Sequence, residues 1–128
     1  LLKIIAVHFS MKKFIPIYAK GKLLARKVKV CESIFSRTRG LMFHPKLNSG
    51  EGIILVAQGQ STAQTSIHSF FVFFSFDALW LNEQKQVVDK KTVQPFHMLI
   101  TPQSPAKYVL ELSKGMAEGI PLGAKIDF

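Results

Sequence analysis

Residues 67–81 read Ile67-His68-Ser69-Phe70-Phe71-Val72-Phe73-Phe74-Ser75-Phe76-Asp77-Ala78-Leu79-Trp80-Leu81. Five phenylalanines and a tryptophan in so short a span predict buried β-structure, because large flat side chains favour strands and fill cores. His68 and Asp77 are carried in with them. An ionisable group taken out of water changes protonation or finds a partner, so these two residues nominate a site. On one uninterrupted strand their odd separation would put them on opposite faces. A bend near Ser75 would bring them together.

Downstream, residues 77–81 and 86–93 read as a hairpin around Asn82-Glu83-Gln84-Lys85, without the glycine that favours the tightest turns. Pro95, Pro102 and Pro105 punctuate a loop, residues 106–112 alternate as a strand, Ser113 caps a short helical turn ended by Gly119, and residues 125–128 close as a last strand. Upstream, residues 14–20 and 22–31 read as extended segments hinged at Gly21. In the second, Val28 and Val30 share one face, and Lys27, Lys29 and Cys31 the other. Ser33 then offers a helix N-cap, and Ile34, Phe35, Thr38, Leu41 and Met42 recur at helical spacing as the expected buried stripe. Gly40 marks a termination or a close approach. Residues 45–52 form a turn-rich loop, residues 53–56 a short buried strand, and the glutamine-rich residues 57–66 a long loop with the character of a mobile flap. Many short strands separated by glycine and proline predict a mainly β domain, a compact antiparallel sandwich or barrel-like fold with one or two short helices.

The chain has 128 residues, 48% of them apolar and 20% charged, which fits one folded domain and excludes disorder as the default. The expected division is a leader or extension over residues 1–11 and a single domain over residues 12–128. Residues 1–50 hold eleven Lys and Arg against Glu32 alone, and residues 51–128 hold six against seven acids, so the net charge of +9 belongs to the first half. Such a field draws anions, including nucleic acid. Cys31 is the single cysteine, so no intramolecular disulfide is possible. No apolar run reaches the ~20 residues that span a bilayer. The expected location is cytoplasmic, or exported if residues 1–10 are the remnant of a leader.

Five blocks, taken in order, are similar to a known family. They are Arg37-Thr38-Arg39-Gly40-Leu41-Met42, Gly50-Glu51-Gly52-Ile53-Ile54, Ile67-His68-Ser69-Phe70-Phe71, Phe76-Asp77-Ala78-Leu79-Trp80-Leu81, and Tyr108-Val109-Leu110-Glu111-Leu112. Over about residues 14–128 the chain resembles domain-of-unknown-function family one hundred and ninety-two, small prokaryotic proteins of no established activity. The resemblance implies a mainly β sandwich or barrel-like fold with one or two short helices. The chain departs from that pattern at Val72, where methionine is usual, at Ser75, where proline is usual, and at Gln84-Lys85, where a turn glycine is usual. A Pro-aromatic-Arg block becomes Pro95-Phe96-His97, so that arginine's anion-binding role is not carried over, and His97 would serve there only when protonated.

As candidate catalytic residues, His68 would act as general base and Asp77 would orient it; a backbone-bonded histidine and a bend-capping aspartate are the structural alternatives. Arg39 would hold a carboxylate or phosphate with its bidentate fork, or else pair with Asp77 or Glu51. Glu51, between two glycines, lies where backbone can approach a ligand, though a plain turn explains it too. Phe70, Phe71 and Trp80 would line an apolar pocket, with His97 as a further contact. The four histidines lack paired spacing, so neither a metal nor a cofactor is expected. The reading that demands least is a small-molecule binding module, taking a small anionic ligand in a His/Asp/Arg pocket. An acid–base enzyme using His68 and Asp77 is the first alternative. A nucleic-acid binder using Lys12, Lys13, Lys20, Lys22, Arg26, Lys27 and Lys29 is the second, and is not favoured.

Overall fold

The computed structural model describes residues 13–128, so the expected N-terminal extension and Lys12 lie outside the described residues. Seven strands and one helix follow in chain order. They are β1 (Phe14–Ala19), β2 (Lys22–Cys31), α1 (Ile34–Arg39), β3 (Glu51–Ser61), β4 (Phe76–Leu81), β5 (Val87–Val93), β6 (Ala106–Ser113) and β7 (Ile126–Asp127). They form one mixed sheet in the order β5-β4-β6-β3-β2-β1-β7, curled into a half-barrel. The mainly β expectation holds, with one helix among the described residues.

All neighbouring strands run antiparallel except β2 and β3, which pair in parallel from Lys27↔Glu51 to Cys31↔Leu55. That one pair makes an otherwise antiparallel sheet mixed. Parallel neighbours need a crossover, and here residues 32–50, α1 included, pass over the sheet to supply it. The curl is tight enough for the sheet's two ends to meet. Gln86 bridges Lys125, and the Ile126 N–H donates to the Lys85 carbonyl at 2.9 Å.

Alternation along the strands builds two cores. Every strand contributes to the inner one, which includes Ile17, Val28, Ile54, Leu79, Leu110 and Ile126, each 0% exposed. Intervening residues point the other way: Ile53 and Leu55, then Phe76, Ala78 and Trp80, then Val109 pack under Leu41, Leu47, Ile67 and Val72 from the covering loops. The sheet is therefore covered on both faces. Such strands read as continuous apolar runs, as β4 does with all six residues buried.

Turn chemistry is local. Lys20 and Gly21, at φ 51° and 72°, make the β1–β2 turn at the expected hinge. Lys85, at φ 63°, takes the position a glycine would favour in the β4–β5 turn. Ser33 caps α1 by accepting from the Ser36 N–H at 3.0 Å.

Four expectations are corrected. Ile34 and Phe35 are 69% and 78% exposed, because α1 ends at Gly40 before its apolar stripe can complete a face; of the five stripe residues only Leu41 is buried. Residues 57–61 continue β3 and are no loop. Residues 68–75 form an irregular loop with Phe70, Phe71 and Phe73 exposed, so the strand begins only at Phe76, past the bend. Residues 114–119 are turns, with no helix.

Candidate functional site

β6 is a central strand, with β4 on one side and β3 on the other, and Glu111 is placed opposite Ala78 and Ile53. Its parity turns it to the outer face, where α1 and the following loop close over it. Glu111 is 3% exposed, and no described residue hydrogen-bonds or ion-pairs with its carboxyl. Burial pushes that carboxyl up to about 8, which favours its protonated form. Gly40, at φ 46°, lets the chain turn directly above: a Cβ there would stand 3.6 Å from Glu111 Oε1.

The carboxyl opens into a cavity of about 160 Å³ between α1 and the outer face of the sheet. Arg37, Arg39, His68, Glu111 and Gln64 supply its polar wall, and Leu41, Leu55 and Val109 its floor. Arg37 extends Nη1 to the Val56 carbonyl at 3.4 Å, and its buried Nε has no partner among the described residues. With Glu111 protonated, the charged side chains on this wall are two guanidiniums. Close by, Cys31 is buried among apolar neighbours, and burial raises its thiol above the ordinary range, which suits packing and not nucleophilic attack.

His68 borders the cavity as a strut. Its Nε2 donates to the Thr38 carbonyl at 2.8 Å, and its Nδ1 accepts from the Phe70 N–H at 3.1 Å. A carbonyl can only accept and an amide N–H can only donate, so these partners select the Nε2–H tautomer. Both ring nitrogens are engaged.

Asp77 is elsewhere. It shares the inner face with Leu79 and Leu81, and its carboxylate accepts from Thr92 Oγ1 at 3.0 Å, the Gly115 N–H at 2.9 Å and the Ala117 N–H at 3.0 Å. Those bonds clamp the turns after β6 onto β4. The sheet thus separates Asp77 from His68, and the expected His/Asp/Arg pocket is not assembled.

The remaining candidates divide. Arg39 lines the cavity, as expected of an anion contact. Glu51 accepts from the Asn48 N–H at 3.2 Å, the plain turn role. Trp80 is 0% exposed, and its Nε1 donates to the Thr65 carbonyl at 2.7 Å, so it anchors the loop after β3 and lines no pocket. Phe70 and Phe71 are exposed outside the cavity. His97 is exposed, and its N–H donates to Ser69 Oγ at 2.7 Å. The basic residues Lys20, Lys22, Arg26 and Lys27 stand exposed on the β1–β2 hairpin, away from this cavity. Among the described residues no group of three or more His, Cys, Asp or Glu is placed to hold a metal ion, and no helix is long and apolar enough to cross a membrane.

Fold and cavity together define a class: a β half-barrel with a polar hollow beneath α1. Residues 16–128 match the model of the DUF192 family, described as "Uncharacterized ACR", and the chain belongs to that family. A UPF0127 protein of Thermococcus sibiricus is 32% identical over 111 residues, 85% of this chain and 70% of that one. A crystal structure of a protein of unknown function from Novosphingobium aromaticivorans superposes with a TM-score of 0.80 at 20% identity, covering 90% of this chain and 85% of that one. Another, of a "putative transcription regulator" from Sinorhizobium meliloti, gives 0.77 at 17% identity over 91% and 92%. At those identities the likeness is one of fold.

Proposed function

We propose that this protein is a binding module for a small anion, taken into the cavity beneath α1 by Arg37 and Arg39 with the protonated Glu111 as hydrogen-bond donor. The observation that carries the reading is a buried guanidinium nitrogen, Arg37 Nε, without a partner among the described residues, on a wall shared with Arg39 and the nearly buried Glu111 carboxyl. A buried polar group left unpaired costs about 1–3 kcal/mol, so such a group persists where something else gives it a partner. A protonated carboxyl beside arginines complements an oxyanion, donating one hydrogen bond where the guanidiniums donate several.

Volume limits the ligand. A cavity of about 160 Å³ has room for phosphate or a short dicarboxylate. Isothermal titration with inorganic phosphate and with malonate tests the reading. At least one should bind the wild type, and Arg37→Gln should weaken that binding tenfold or more, about the 1.4 kcal/mol expected of a lost charged hydrogen bond. Absence of heat with both anions, or equal affinity in the variant, contradicts it. The acid–base alternative loses its geometric support, since both nitrogens of His68 are engaged and Asp77 lies across the sheet.

A further inference from the structure

Phe43, Phe71, Phe73 and Phe96 form a chain of touching rings on the surface. Phe43 stacks on Phe71 at 5.0 Å between centroids, Phe71 meets Phe96 at 6.0 Å, and Phe96 meets Phe73 edge-on at 5.2 Å. All four are between 45% and 64% exposed, and Met98 and Leu99, beside Phe96 in sequence, are 74% and 73% exposed. Contiguous apolar surface of this kind marks contact with a partner or a membrane.

The backbone is shaped to present these rings. Phe43, Phe71 and Phe96 adopt φ of 61°, 56° and 60°, the left-handed region that a bulky L residue enters only under strain. Hydrogen bonds hold that geometry: the Phe43 N–H donates to the Phe71 carbonyl at 2.9 Å, and the Phe96 N–H to the Ser69 carbonyl at 2.8 Å. Three separate loops thus carry a strained residue whose ring is exposed.

Charge selects among the partners. Residues 33–50, 62–76 and 94–105, which carry the patch, contain no Asp or Glu, and their exposed cations Arg39 and Lys46 flank Phe43 in sequence. Protruding aromatic and aliphatic side chains set among cations match the interface of an anionic bilayer, where rings enter the headgroup layer and Lys and Arg meet phosphates. We propose that this aromatic face docks on an anionic lipid surface.

Cosedimentation of the full chain with phosphatidylcholine vesicles, with and without phosphatidylglycerol, tests the proposal. The chain should pellet with the phosphatidylglycerol vesicles, less so as salt is added, and Phe73→Ser should lower the partition coefficient roughly tenfold, as removing one buried ring implies. Met98→Ser with Leu99→Ser, at two sites exposed enough to spare the fold, should do the same if Phe73→Ser fails to fold. Wild-type protein that stays in the supernatant, partitions equally into both vesicle types, or is unaffected by the substitutions overturns the proposal. So does a concentration-dependent dimer that the substitutions dissociate while no vesicle binding occurs.

Discussion

His68 and Thr38 are joined by a 2.8 Å hydrogen bond from the imidazole Nε2 to the backbone carbonyl, tying the loop that precedes β4 to the last turn of α1. With Nδ1 accepting from the Phe70 N–H, the ring spans two loops and fixes one side of the cavity. His68→Ala should therefore lower stability by about 1–2 kcal/mol, the ordinary worth of two partly solvated hydrogen bonds, seen as a lower midpoint in chemical denaturation. Unchanged stability would show that the ring is no strut.

Asp77 is a clamp of the same kind but more deeply set. Asp77→Ala strands the Gly115 and Ala117 N–H groups and Thr92 Oγ1, and should cost about 3 kcal/mol or more. Hydrogen exchange at those two amides should accelerate ahead of the rest of the sheet. Protection equal to wild type would contradict the clamp.

Gly52 is required by a close approach of β3 to β6. A Cβ at that position would lie 2.6 Å from the Glu111 carbonyl oxygen and 2.8 Å from Leu112 Cδ2, and backbone on a central strand cannot yield cheaply. Gly52→Ala should destabilise by several kcal/mol, beyond the usual ~1–3 of an overpacked core, and show as loss of soluble folded protein. A variant with wild-type thermal stability would refute that contact.

Glu111 makes stability depend on pH with a definite sign. Its folded value of about 8 lies above the ordinary 4.5, so the folded state binds more protons between those values. The stability it contributes is complete below about pH 4.5 and is lost as pH rises through 8. Relative to Glu111→Gln, which cannot ionise, the wild type should weaken from pH 5 to pH 8 by an amount on the order of a few kcal/mol. Parallel stability curves for the two proteins would mean that the carboxyl is charged or solvated.

Element boundaries were legible in the sequence wherever turn chemistry was local. Gly21, Ser33 and the Asn82–Lys85 turn each mark the boundary their residue types require. The candidate site was legible only in part. Of the residues lining the cavity, the sequence singles out Arg39 but neither Arg37 nor Glu111, because alternation in residues 106–112 suggests a glutamate facing water. It faces protein because loops cover that side of the sheet, a tertiary fact that strand periodicity does not carry. One signal was present: a lone carboxylate inside Tyr108-Val109-Leu110-Glu111-Leu112, the same argument that drew attention to His68 and Asp77. For those two the argument failed, since main-chain groups had already satisfied both side chains. The aromatic run misled in a further way, as β-propensity does not distinguish rings folded into a core from rings held outside it.

The cavity beneath α1 is tested most directly by side-chain NMR of the Arg37 and Arg39 guanidiniums during titration with inorganic phosphate and malonate. The account predicts saturable shifts of both arginines with one of these anions, accompanied by a change at the Glu111 carboxyl carbon. Resonances that stay fixed while only the exposed lysines of β1 and β2 respond would contradict it.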